Sequence, residues 1–240
     1  MIRLLSLCLL AAACAAPTPS IIRSSDATIP TQRDGWHMTR HLAQKEIAAN
    51  GSWKILFIGD SITQSWENAG APIWEEHYGG RYVLNLGISG DRTQHVLWRI
   101  GDGVLDGLSP QQVVLMIGTN NSGTNTSREI ADGVESIVRE LKSRLLFADI
   151  IVLGIFPRGA QQHDPLRQVN IGANRLISQR MAFDERVHFF DIGHVFVDGN
   201  ENLSTAIMPD LLHLSEDGYR RWAEALAPLL ENQVGFSTRN

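Results

Sequence analysis

The chain has 240 residues, 43% apolar and 20% charged, enough to close one sizeable core and too apolar for a disordered polypeptide. Its 21 basic and 26 acidic residues give a formal charge of -5, and no basic block exceeds a short pair such as Arg220-Arg221. That excludes a nucleic-acid scaffold and any general electrostatic hold on an anionic membrane. The 21 glycines and 9 prolines are scattered without repeat or heptad, which excludes solenoids and coiled coils.

In chain order, the first element is an apolar run from Leu4 to Ala16 behind the single cation Arg3. It is shorter than the about 20 residues that a membrane-crossing helix needs, and residues 1–16 read as an export signal. Ala11-Ala12-Ala13 ahead of Cys14 suits either lipidation of Cys14 or ordinary signal cleavage. Cys8 and Cys14 are the 2 cysteines of the chain, so the exported part holds neither a disulfide nor a thiol for nucleophilic or metal chemistry. Residues 17–33, rich in Ser, Thr and Pro, read as a tether, and 34–235 as one folded domain.

Within that domain five apolar, β-prone runs alternate with helical patterns: Trp53–Ile58, Tyr82–Leu86, Val113–Ile117, Ile150–Ile155 and Val187–Ile192. Between them, Ile130, Val134, Ile137, Val138 and Leu141 share one helix face, and Val169, Ala173, Leu176, Ile177 and Met181 another. A last helix is expected to start at Ser215 as N-cap and to bury Tyr219, Trp222, Ala223, Leu226 and Leu230, with Pro228 bending or fraying its final turn. One helix per crossover makes this an α/β fold, a three-layer α/β/α sandwich around a five-stranded parallel sheet.

Ligands of such sheets bind at the carboxyl ends of the strands. The first strand is followed by Gly59-Asp60-Ser61-Ile62, the second by Gly87-Ile88-Ser89-Gly90-Asp91 and the third by Gly118-Thr119-Asn120-Asn121. After the fifth, a long loop carries Asp210-Leu211-Leu212-His213. A serine hydroxyl needs a base to become a nucleophile, and histidine, with a pKa near 6.5, suits the task. Asp210, three residues before His213, can orient that base. The N–H groups of Ser61 and Gly90 and the amide of Asn120 supply the donors that an acyl-transfer oxyanion requires. Ile62 and Leu212, flanking the nucleophile and the base, are expected to wall the acyl pocket. Singly, each motif also fits turn, cap or surface chemistry; together they place the four groups at one end of one sheet.

That order resembles the SGNH or GDSL hydrolase superfamily, over about Trp36 to Leu230. Within it, the stretch from Leu86 to Ile100, the run Leu153-Gly154-Ile155-Phe156-Pro157-Arg158-Gly159 and the run Asp210-Leu211-Leu212-His213-Leu214 most resemble the catalytic subunits of platelet-activating-factor acetylhydrolase Ib. The resemblance implies a flavodoxin-like fold, Ser61 as nucleophile, His213 as base, Asp210 as its partner and Ser61, Gly90 and Asn120 as oxyanion hole, with no metal and no cofactor. Residues 34–235 are then an SGNH hydrolase domain. Ser89 stands where those subunits favour glycine, and the second glycine of a G-x-S-x-G elbow is absent after Ser61.

The expectation is an exported serine esterase that removes short acyl groups, acetyl first, from carbohydrates or other small esters. The alternatives are a lysophospholipase or thioesterase on longer chains, and a non-catalytic carbohydrate-binding surface protein. The expected partners are the ester substrate and a second copy of the chain. Nucleic acid is not expected, and the membrane enters only through Cys14. Three lesser features read more plainly as structure: His37 and His41 as an exposed helix face rather than a zinc pair, His163-Asp164 as a solvated loop, and Trp66 and Trp74 as packing rather than sugar stacking.

Overall fold

The computed structural model describes residues 25–234, so the expected export signal, Cys14 and the first part of the expected tether lie outside the described residues. The strands are β1 (Ile55–Gly59), β2 (Val83–Asn85), β3 (Gln112–Met116), β4 (Asp149–Leu153) and β5 (Val187–Phe190). They pair in parallel throughout, in the order β2-β1-β3-β4-β5, which is the flavodoxin-like order. The helices are α1 (Trp36–Ala49), α2 (Ser61–Gln64), α3 (Ala71–Tyr78), α4 (Thr93–Gly101), α5 (Ser127–Arg144), α6 (Pro165–Met181) and α7 (Glu216–Val234).

Both faces of a parallel sheet must be covered, and the period-two alternation of the strands divides the apolar side chains between two cores. Leu56, Ile58, Val113, Leu115, Ile150 and Val152 pack with α4, α5 and α6 through Val96, Ile100, Val134, Ile137, Ala173 and Ile177. Phe57, Val114, Met116, Ile151 and Leu153 pack on the other face with Ile73 and Tyr78 of α3 and Trp222 and Leu226 of α7. The three-layer sandwich of the sequence reading is therefore the fold. Ser215 Oγ accepts the Gly218 N–H at 3.2 Å, as an N-cap does. Pro228 lies inside α7, which nevertheless runs on to Val234.

Two expectations need correction. The tether does not extend to Arg33, because Asp26–Thr28 forms a 3-10 turn with Ala27 fully buried. Thr93 Oγ1 donates to the Ala27 carbonyl at 2.7 Å, Asn125 Nδ2 to Asp26 Oδ1 at 2.6 Å, and the Thr31 N–H to the Gln94 carbonyl at 3.0 Å. Short polar residues that look like linker are here saturated by hydrogen bonds to the domain. Nor is His41 on an exposed helix face: it is buried, with Nε2 2.9 Å from Asp102 Oδ2, and burial lowers its pKa.

Candidate active site

The order β2-β1-β3 opens a crevice at the carboxyl ends of β1 and β3, because the chain leaves β1 on one side and returns on the other. β1 ends at Gly59, where any Cβ would collide with the Thr63 side chain and the Met116 carbonyl, so only glycine lets the two strand ends and α2 close together. Asp60 then turns the chain: its Oδ1 accepts the Ile62 N–H at 3.0 Å and starts α2, making Ser61 the first helical residue. Asp60 is completely buried and its Oδ2 has no partner among the described residues. Burial pushes this carboxyl up to about 7, against the lowering effect of the Ile62 N–H.

Ser61 Oγ lies 2.9 Å from His213 Nε2, and His213 Nδ1 lies 2.6 Å from Asp210 Oδ2. A carboxylate can only accept, so the Nδ1 proton points at Asp210 and the Nε2 lone pair is left for the serine proton. The other Asp210 oxygen accepts the N–H of His213 at 2.7 Å and of Leu212 at 3.0 Å. That chelate requires a sharp reversal, supplied by Leu211 at φ +60, a left-handed conformation that costs a branched residue about 1–3 kcal/mol. Burial alone would raise the Asp210 pKa; the hydrogen bonds from the side chain and backbone of His213 overcome it and hold the carboxyl below its ordinary range. With the Asp210 side chain 56% and the His213 side chain 40% exposed, water screens this pair, and hydrogen-bond geometry rather than bare Coulomb attraction fixes the imidazole.

Three donors stand on the segments that follow β1, β2 and β3. The N–H groups of Ser61 and Gly90 have no acceptor among the described residues. Gly90 has φ +74, a conformation that favours glycine. Asn120 Nδ2 donates to the Asp91 carbonyl at 2.9 Å, which fixes the amide plane and leaves its second N–H for a ligand. Asn121 is different in kind. It is fully buried, accepts the Thr93 N–H at 3.1 Å and donates to Thr93, Gln94 and Asn125 side chains, so it braces the start of α4.

Ile62 and Leu212 do not form one wall. Ile62 is 1% exposed in the core with Phe57, Trp66 and Tyr219, and the Tyr219 hydroxyl donates to its carbonyl at 2.6 Å. The expectation of Ile62 as pocket wall is thereby corrected: successive residues on a helix point about 100° apart, so the neighbour of an outward serine turns inward. Leu212 is half-buried on the loop that carries His213. Trp66 is core and His163 is exposed, as the plainer readings had it, whereas Asp164 is the N-cap of α6 rather than part of a solvated loop. Among the described residues no group of three or more metal-ligating side chains converges.

Sequence reasoning missed five residues that shape this crevice. Asp91 is buried between Arg99, 2.8 Å away, and Arg33, 3.1 Å away. Arg158 donates to the Thr119 carbonyl at 3.0 Å and ties the loop after β4 to the Asn120 loop. Leu211 carries the left-handed turn, where no glycine marks it.

A serine, a histidine and an aspartate in one hydrogen-bonded line, beside backbone donors at the mouth of a flavodoxin-like sheet, define the SGNH class of serine hydrolase. The chain belongs to the GDSL-like lipase/acylhydrolase family, which matches residues 57–221, and it is an acylhydrolase of that family. It is 38% identical over 199 residues to the platelet-activating factor acetylhydrolase IB subunit alpha1 of Bos taurus, covering 83% of this chain and 84% of that one. To the alpha2 subunit of Rattus norvegicus it is 39% identical over 176 residues, 73% and 75% of the two chains. Among solved structures, the acetylxylan esterase of Geobacillus stearothermophilus superposes with a TM-score of 0.58 at 24% identity, over 73% of this chain and 93% of that one.

Proposed function

We propose that this acylhydrolase is exported and removes short acyl groups, acetyl foremost, from carbohydrates or other small esters. The unbroken line from Ser61 Oγ through His213 to Asp210, 2.9 Å and 2.6 Å, carries the reading and speaks against a purely carbohydrate-binding protein. In this mechanism His213 Nε2 takes the Ser61 proton as Oγ attacks the ester carbonyl, and the oxyanion forms against the Ser61, Gly90 and Asn120 donors. The imidazolium passes its proton to the leaving alkoxide, and water then releases the acyl group from Ser61 by the same route in reverse.

Acetyl is favoured because the sequence relatives are platelet-activating factor acetylhydrolase subunits and the superposed structure is an acetylxylan esterase. Export rests on the apolar start of the chain behind Arg3, and attachment to a membrane on Cys14. Turnover of p-nitrophenyl acetate against the octanoate and palmitate esters tests the acyl length, and a screen of acetylated sugars and xylans tests the alcohol side. A preference for acetate supports the reading; a preference for palmitate replaces it with the lysophospholipase or thioesterase alternative.

A further inference from the structure

Arg33 belongs to the segment that looks like a linker, yet its guanidinium reaches the loop after β2. Nη1 donates to the Ser89 carbonyl at 2.9 Å and to Asp91 Oδ1 at 3.1 Å. The group also lies over the Cα of Gly90: a Cβ built there would stand 3.2 Å from Nη2 and 3.3 Å from Nη1. Gln64 Oε1 holds the same loop from the other side by accepting the Ser89 N–H at 2.7 Å.

The Ser89 carbonyl and the Gly90 N–H are the two ends of one peptide unit. That unit is planar and trans, so its C=O and N–H point in opposite directions. Fixing the oxygen therefore fixes the direction of the hydrogen. A cation on the oxygen also draws electron density from the amide and strengthens the N–H as a donor. Asp91 completes the link, because its carboxylate holds Arg33 while its carbonyl accepts from Asn120 Nδ2 at 2.9 Å. Two of the three oxyanion donors are thus tied to one guanidinium.

We infer that Arg33 is a positioning residue for ester hydrolysis, aiming and polarising the Gly90 N–H through the Ser89 carbonyl. Resting on the serine-esterase reading, this links the segment ahead of α1 to transition-state stabilisation through the Gly90 N–H. The loss should fall on kcat, because the donor is needed chiefly when the oxyanion forms.

The test uses Arg33→Ala and Arg33→Lys, with Arg220→Ala at an exposed ion pair as control. For p-nitrophenyl acetate, Arg33→Ala is expected to lower kcat about tenfold or more with KM within about twofold, and Arg33→Lys to recover part of the loss because an ammonium still donates to both oxygens. The rate at which a fluorophosphonate labels Ser61 should follow the same order, whatever the natural ester. If Arg33→Ala fails to fold, Arg33→Lys and Arg33→Gln give the comparison, with the glutamine, which lacks the charge, expected to be slower. A folded Arg33→Ala with the parent's kcat and labelling rate overturns the inference, as does an Arg33→Gln equal to Arg33→Lys. A parent protein whose Ser61 does not react with the probe overturns the esterase reading with it.

Discussion

At the scale of single residues, the site divides into groups that react and groups that hold them, and substitutions separate the two. Ser61→Ala should abolish turnover and leave folding intact, since a single hydroxyl lost at the first residue of α2 opens no core cavity. Asp210 Oδ2 is the sole described partner of His213 Nδ1, so Asp210→Asn, which presents an amide to that proton, is expected to cost on the order of 10⁴ in kcat. Asn120→Ala should lower kcat by about 10²–10³ with KM little changed. Asn121→Ala should instead lower the melting temperature, because it removes four buried hydrogen bonds. Asp60 gives a pH signature. Its carboxyl is raised from 3.8 to about 7 in the fold, so the native state binds the proton more tightly and loses stability as pH rises through that window. Asp60→Asn cannot ionise and keeps an oxygen for the Ile62 N–H. Its melting temperature should gain on that of the parent between pH 4 and pH 8, and a constant difference across that range would show that Asp60 is ionised throughout.

At the scale of elements, one of the two expected walls of the acyl pocket lies in the core and the other remains an expectation. Ile62 is core and Leu212 sits beside the base. Ile62→Ala should therefore cost about 2–5 kcal/mol of stability with chain-length preference unchanged. Leu212→Ala should raise kcat/KM for butyrate or hexanoate esters relative to acetate, a slot being worth about 1–3 kcal/mol per methylene. An unchanged ratio in folded Leu212→Ala would remove it from the pocket. These two residues show what was legible in the sequence and what was not. Strands, crossovers and the loops bearing Ser61, Gly90, Asn120, Asp210 and His213 follow from local periodicity and spacing. The direction of a side chain adjacent to a catalytic one does not, because it depends on the turn that Asp60 starts. Arg33 was invisible for another reason: its partners Ser89 and Asp91 lie 56 and 58 residues away, and no local pattern marks such a contact. Leu211 left no trace either, since its left-handed backbone is imposed by the Asp210 chelate and not by a glycine.

At the scale of the whole molecule, the domain begins earlier than composition suggests, and its first residues serve the crevice. A chain starting at Ser25, which keeps Ala27 and Arg33, sets the reference turnover and melting temperature. One starting at Asp34 should lose both, because it lacks Ala27 from the core and Arg33 from the Ser89 loop. Chelators should leave activity untouched, since nucleophile, base and oxyanion donors are all supplied by side chains and backbone of this chain. The most direct test of the central claim, that Ser61 is the nucleophile of a Ser–His–Asp esterase, is rapid-quench mass spectrometry with p-nitrophenyl acetate. The account predicts a burst of p-nitrophenol matched by an acetyl group on the peptide containing Ser61, absent in Ser61→Ala and strongly slowed in His213→Ala. Hydrolysis at the parent rate by Ser61→Ala, or an acetyl group on another residue formed at the turnover rate, would contradict it.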